Sequence, residues 1–398
     1  MINQLFAKHI KAVSGLKTLF HSNLHSQIQW NERLIGIKGA RGVGKTTLIL
    51  QHINEAFGFD RTCLYVNLDD IAFPYNNLVQ LAEEFEKTGG KYLFLDEIHK
   101  YANWSQELKN IYDNLPGLQV VFTGSSILDI LKGKADLSRR AVVYRMQGLS
   151  FREFMQIETG KKFESYSLEQ LLENHEQFCI EINQKVKPFQ YFEKYLRYGF
   201  YPYYLEGIEN YTFKLSNTIS LMIETDLHIL LNVDIQYIGK LKKFLNLLSS
   251  NIPFKPNVTN LAAAIGISWQ SVIHYLQYLD EAEIIRIIYH EGKDIKSMSK
   301  PEMIYLHHPN HFYVFNDEIA NKGSLRESFF VNQLSYKYKV ERAKRGDFVV
   351  NGNYYFEIGG KNKTYHQIAG LQNSFIAADD IEYGFNNKIP LWLFGFLY

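Results

Sequence analysis

Cysteine is nearly missing from this chain: Cys63 and Cys179 are the only two in 398 residues, far apart and in no metal-ligand spacing. That excludes a disulfide framework and suits a reducing compartment. Excess charge is missing too. There are 43 basic against 42 acidic residues, for a net charge of +1, so the total announces no polyanion partner. A local basic face can still sit inside a balanced total. No run reaches the ~18 apolar residues that a membrane-spanning helix needs. The N-terminal MINQLFAKHIKAVSGLKTLF mixes Lys and His into its apolar positions and has no signal-peptide core. Fixed-period repeats and low-complexity tracts are absent. These absences point to a cytoplasmic protein with no membrane partner. What the chain does have is aromatic bulk, 27 Tyr and 28 Phe, which implies large aromatic cores.

The order of apolar patterns divides the chain. Residues 1–30 read as a helical lead-in. Residues 31–150 alternate short apolar runs (LIGIKG, TCLYVNL, KYLFLDE, LQVVFTGSS) with helical patterns. Such alternation predicts an α/β fold with a parallel sheet and crossover helices. Residues 151–235 lack strand signals and read as helices. Residues 236–310 read helix, short helix, turn, helix and strand, the order of a winged helix. In that segment Asn257 or Thr259 can cap the second helix and Ser268 the third. Residues 311–398 read as a small α/β domain with helices at Ser324–Tyr336 and Thr364–Ala378 and a final strand in LWLFGFLY.

The sharpest motif is Gly39-Ala40-Arg41-Gly42-Val43-Gly44-Lys45-Thr46, which matches G-x-x-x-x-G-K-[ST] between an apolar strand and a helical pattern beginning at Thr47. Glycines let backbone N–H groups turn inward around phosphates. The helix N-terminus adds its positive dipole end. In this reading Lys45 reaches the β- and γ-phosphates of ATP, and Thr46 offers its hydroxyl to Mg²⁺. Residues 39–47 are the candidate nucleotide-binding set.

Tyr92-Leu93-Phe94-Leu95-Asp96-Glu97 is an apolar strand ending in two carboxylates. Ligands of parallel sheets lie beyond the carboxyl ends of the strands. Asp96 is therefore placed toward the metal and Glu97 toward an attacking water. The plainer alternative is that the pair caps the next helix. A second apolar strand ends in Thr123-Gly124-Ser125-Ser126, whose hydroxyls can read the γ-phosphate or the water, or cap a helix over 126–132. Arg140, in DLSRRAVVYRM, is a candidate to offset transition-state charge.

GARGVGKTTLI, YLFLDEIHKYANWSQELKNIYDN, VVFTGSS, RRAVVYRMQGLSFREF and YLRYGFYP together resemble the AAA-superfamily ATPases of bacteria and archaea that carry a C-terminal nuclease-like domain and are related to origin-recognition-type ATPases. The resemblance implies a P-loop core, a helical lid, a winged helix and a PD-(D/E)xK-like terminal domain. It also aligns Arg140 with an arginine of the family pattern.

The third helix of the winged-helix segment offers Ser268, Gln270, Ser271, His274 and Gln277 but no Arg or Lys. Lys240, Lys242, Lys243, Lys255, Lys293, Lys296 and Lys300 flank it. The expectation is weak, sequence-tolerant, salt-sensitive DNA binding through phosphates; a protein-binding surface is the alternative. In the last segment Glu327, Asp347 and Glu357 follow the acid order of a PD-(D/E)xK nuclease. The lysine place two residues after Glu357 holds Gly359, so the chemistry is expected to be lost unless Lys361 or Lys363 reaches in. The combined expectation is a Mg²⁺-dependent ATPase working as a conformational switch, coupled to DNA, a protein partner or further copies of itself. A scaffold that binds ATP without turnover and a metal-dependent nuclease are the alternatives; a P-loop kinase suits the LFLDE and TGSS strand ends less well.

Overall fold

The computed structural model describes residues 2–16, 20–70, 77–126, 137, 139–226, 235–249, 253–292, 301–315 and 321–398. The chain packs as two compact units, residues 1–148 and 149–398. No described helix is long and apolar enough to cross a membrane.

The first unit is a five-stranded parallel sheet in the order β2-β3-β4-β1-β5. Its strands are β1 (Leu34–Gly39), β2 (Cys63–Asn67), β3 (Tyr92–Asp96), β4 (Gln119–Ser125) and β5 (Val142–Arg145). β1 to β4 are almost wholly buried, as parallel strands covered by helices on both faces must be. The helices of this unit are α1 (Ile2–Ser14), α2 (Asn23–Gln27), α3 (Lys45–Ala56), α4 (Leu78–Lys87) and α5 (Trp104–Asn114). One core joins Leu5 and Phe6 of α1, Leu81 and Phe85 of α4, Leu108 and Ile111 of α5, and alternate residues of β2, β3 and β4. The order has a functional consequence. β4 lies between β1 and β3, so the end of β4 stands between the loop after β1 and the acids after β3.

In the second unit, helices α6 (Phe151–Thr159), α7 (Leu168–Lys185), α8 (Phe189–Tyr198) and α9 (Tyr211–Leu221) follow one another without a strand, as expected. Ser150 caps α6 in a full capping box with Glu153, an arrangement worth about 1 kcal/mol per cap. Helices Ile235–Ser249, Val258–Ile265 and Trp269–Glu281 come next, then an antiparallel pair, β6 (Ile285–Ile288) and β7 (Met303–Leu306). Of the two candidate caps for the second of these helices, Asn257 does the work, accepting from Asn260 N; Ser268 accepts from Ser271 N at the third. A last sheet runs β12-β11-β10-β9-β8, where β8 is Val340–Arg342, β9 Phe348–Val350, β10 Tyr354–Gly359, β11 Ser374–Ala378 and β12 Lys388–Pro390. Helix Lys322–Ser335 packs on it.

The three segments expected after residue 150 thus fall in one compact unit. Phe151 of α6 packs edge-on against Phe192 of α8 and Phe396 near the C-terminus, and the backbone carbonyl of Tyr398 accepts from Ser150 Oγ and Arg152 Nε, each at 2.9 Å. Two local expectations are corrected. The stretch expected to be helix Thr364–Ala378 holds only the 3-10 turn Tyr365–Gln367 and then strand β11. Gly370 and Asn373 both take positive φ there, which interrupts a helix. The expected final strand is a buried 3-10 helix, Leu391–Phe396. An apolar run buried on every side has no alternation to distinguish strand from helix. The helix expected over 126–132 lies, from residue 127 on, outside the described residues.

Candidate nucleotide site and a second acidic cluster

Gly39 ends β1, and the loop over residues 40–44 leads directly into α3. Gly44, the residue before the helix, sits at φ 104°, a conformation closed to L side chains. This turn aims the first-turn N–H groups of α3, including those of Lys45, Thr46 and Thr47, into the loop; these groups have no partner within the helix. Lys45 is 6% exposed, and its Nζ donates to Gly39 O and Ala40 O, both at 2.9 Å. Its partners among the described residues are carbonyls, which carry no counter-charge, so the donor set fits an anion. Arg41 and Gly42 line the outer rim, while Val43 is buried beneath it.

Asp96, 1% exposed at the end of β3, is where the strands converge. Its Oδ2 accepts from Thr46 Oγ1 at 2.8 Å and from Tyr65 OH at 2.9 Å. Its Oδ1 accepts from Thr123 Oγ1. Burial first, and then the neighbouring Asp96, push the Tyr65 phenol up, so it stays a neutral donor. Hydroxyls from β2, β4 and α3 thus fix one carboxylate. Hard oxygen ligands of this kind, with only one or two supplied by protein, suit Mg²⁺; Thr46 and Asp96 are the residues that would hold it.

Glu97 follows at φ 56°. A non-glycine residue there costs about 1–3 kcal/mol and persists only where its surroundings hold it. Here its N–H donates to Thr123 Oγ1 at 3.0 Å, and its Oε2 lies 3.4 Å from Nε2 of the buried His99. Its side chain remains 23% accessible.

The structure relocates two candidates. Thr123 is fully buried and bridges Asp96 to the Glu97 backbone; it does not present its hydroxyl to an open site. Arg140, expected beside the γ-phosphate, makes a two-pronged contact with Asp113 near the end of α5, at 2.9 and 3.0 Å. That pairing draws the Asp113 carboxyl below its ordinary range. Two residues escaped the sequence reading. Tyr65 is a lone phenol in a mostly apolar strand, a weak signal. His99 stands two positions after the acid pair, where an imidazole beside a carboxylate could have been suspected.

A second acidic cluster lies in the other unit. Asp347 Oδ2 accepts from Ile358 N at 2.8 Å, and its Oδ1 pairs with Arg342 at 3.3 Å. Glu327 Oε2 accepts from Tyr305 OH at 2.7 Å. Burial, opposed by Tyr305 and assisted by Asp347, holds the Glu327 carboxyl above its usual range. Glu357 is fully buried, and its Oε1 lies 2.6 Å from Lys363 Nζ. A positive group thus stands beside Glu357 from the following loop, while position 359 itself holds glycine. Gly359 permits this: a Cβ there would come within 2.7 Å of Lys363 Cγ and Cδ. Lys363 rather than Lys361 is the residue that reaches in.

The flanking lysines of the helical segment are largely engaged. Lys242 pairs with Glu224, Lys255 with Glu302 at 2.8 Å, and Lys240 donates to Gly266 O at 3.1 Å. Lys293, Lys296 and Lys300 lie outside the described residues.

Comparison with known proteins agrees with the first unit's geometry. Residues 31–155 match a family model described as an AAA domain, and residues 189–304 match a domain of unknown function, DUF8612. The chain is 27% identical over 391 residues to the uncharacterized protein MJ1637 of Methanocaldococcus jannaschii, covering 90% of this chain and 82% of that one. Among solved structures it is similar to AMPPCP-bound DnaA from Aquifex aeolicus (19% identity, 65% of this chain and 84% of that chain, TM-score 0.26). It is also similar to a variant of RuvB from Thermotoga maritima (13%, 72% and 89%, TM-score 0.26). The stretch from residue 31 to 155, with its parallel sheet and phosphate-type loop, is an AAA-type P-loop ATPase domain.

Proposed function

We propose that this chain hydrolyses ATP at the site built from Lys45, Thr46, Asp96 and Glu97 and uses the cycle as a conformational switch. The observation that carries the reading is Asp96, a buried carboxylate bonded to the first-turn hydroxyl of α3 and flanked by a strained, accessible Glu97. The loop amides and the α3 N-terminus cradle the phosphates. Lys45 swings from its two carbonyls to the β- and γ-phosphates. Thr46 and Asp96 would hold Mg²⁺, which would supply charge neutralisation at the phosphates. Glu97 orients and polarises the attacking water. Thr123 is a positioning residue: it joins the metal-side acid to the water-side acid through one hydroxyl. An accessible Glu97 speaks against a scaffold without turnover, which needs no such group.

Thr123→Val keeps the volume and removes both hydrogen bonds. Turnover is expected to fall ~10–100-fold, the usual cost of losing an outer-shell orienting group, with ATP affinity little changed. Steady-state phosphate release and nucleotide titration on the same variant check this; equal losses in both would reduce Thr123 to a folding residue.

The partner through which the switch acts is DNA or protein. With Lys242 and Lys255 paired to acids, DNA affinity is expected to be weak and to collapse between low and physiological salt. Titration of a short duplex at two salt concentrations decides, and salt-independent, sequence-selective binding would overturn the phosphate-only picture.

Lys363 favours a second reading, metal-dependent phosphodiester cleavage by the unit spanning 149–398. Glu327, Asp347 and Glu357 offer carboxylate oxygens suited to Mg²⁺ or Mn²⁺, and Lys363 stands where charge develops. On this reading, plasmid nicking with Mn²⁺ vanishes in Asp347→Ala and drops ~10²–10³-fold in Lys363→Ala. Wild type without any nicking would mean that the arrangement is a structural remnant.

A further inference from the structure

At the far end of α3 from the phosphate loop, two histidines and a glutamate converge. His21 precedes α2, His25 lies within it, and Glu55 is in the last turn of α3. One coordinating atom from each of the three falls within 4.8 Å of the others. His25 Nε2 is 3.6 Å from Glu55 Oε2, and His21 Nε2 touches Glu55 Oε1. In a tetrahedral site with bonds of about 2.0–2.2 Å, neighbouring ligand atoms sit roughly 3.3–3.5 Å apart. The His25–Glu55 separation is close to that spacing.

The surroundings are built to hold these groups. Trp30 Nε1 donates to His25 O at 3.1 Å, which fixes the backbone of α2 at the ligand. Gln51 Nε2 donates to Phe20 O at 2.7 Å, which ties the residue before His21 to α3. His52 stacks flat on Trp30 with centroids 3.7 Å apart and closes the inner side. His25 Nε2 is buried and has no hydrogen-bond partner among the described residues.

We propose that His21, His25 and Glu55 form a site for a divalent transition-metal ion of the Zn²⁺ class. Two imidazoles and one carboxylate leave one tetrahedral position to water. His21 and Glu55 are half-exposed, so the ion enters from solvent. It pins the segment before α2 to the end of the helix that follows the phosphate-type loop. The assignment is independent of the ATPase reading.

The test uses the full chain, stripped with EDTA and free of nucleotide. Zn²⁺ is titrated calorimetrically into wild type, Asp347→Ala, His25→Ala and Glu55→Gln, and Co²⁺ is added in parallel to read ligand geometry from visible absorption. Asp347→Ala removes the other acidic cluster as a competitor. Expected is one Zn²⁺ site that survives Asp347→Ala, weakens at least ~10²-fold in His25→Ala and Glu55→Gln, and gives a tetrahedral Co²⁺ band lost in the same two variants. Should His25→Ala unfold the chain by circular dichroism, the half-exposed His21→Ala takes its place with the same expected loss. Zn²⁺ binding untouched by these changes, or no Zn²⁺ binding in wild type, would overturn the site and leave only a histidine–carboxylate contact.

Discussion

Lys45→Ala is expected to lower ATP affinity ~10²–10³-fold, the range for truncating one partner of a buried charge pair. The lysine sits 6% exposed under the loop, where water screens little, and among the described residues its ammonium donates to carbonyl oxygens. Four negative charges arriving on a triphosphate would find no other buried cation from the loop itself, since Arg41 sits at the rim. The backbone amides remain in the variant, so residual binding persists through the helix terminus. Calorimetric titration with a non-hydrolysable analogue measures the change. Unchanged affinity would move the nucleotide elsewhere.

Glu97→Gln is expected to leave ATP binding intact and to cut turnover ~10²–10⁴-fold, the span of general-base assistance. The amide keeps the shape and one hydrogen-bonding oxygen, but it cannot draw a proton from water. The backbone should survive, because the Glu97 N–H bond to Thr123 does not involve the side chain. His99, 3.4 Å from Oε2, sees an amide in place of a carboxylate. Single-turnover hydrolysis with enzyme in excess separates chemistry from product release. A near-normal rate would pass the role to another group.

The candidate nucleotide site was legible because each of its motifs is contiguous in sequence. A loop that must turn its amides inward needs glycines at fixed spacing, and an acid pair at a strand end needs an apolar run before it. Neither depends on distant partners. What the sequence hid was pairing across the fold. Thr123 was seen as a hydroxyl at a strand end, but β4 lies between β1 and β3. That order turns the residue inward, to Asp96 and the Glu97 amide. Arg140 was assigned by its place in a pattern, and its tie to Asp113 on α5 was invisible at a distance of 27 positions. Gly359 looked like a missing charge, yet the loop that follows brings Lys363 back over it. The two misread C-terminal elements have different causes: Gly370 and Asn373 turn the backbone inside residues 364–378, where Tyr365 and Ala369 stay exposed, whereas Leu391–Phe396 is buried on every side, so its periodicity carried no information.

Magnesium-dependent phosphate release from ATP by the full wild-type chain, with Lys45→Ala and Glu97→Gln assayed beside it, bears most directly on the central claim. The site described here predicts steady release that requires the metal and is lost in both variants, with ATP still bound by Glu97→Gln alone. Tight ATP binding without release in wild type, or release that survives both substitutions, would contradict it.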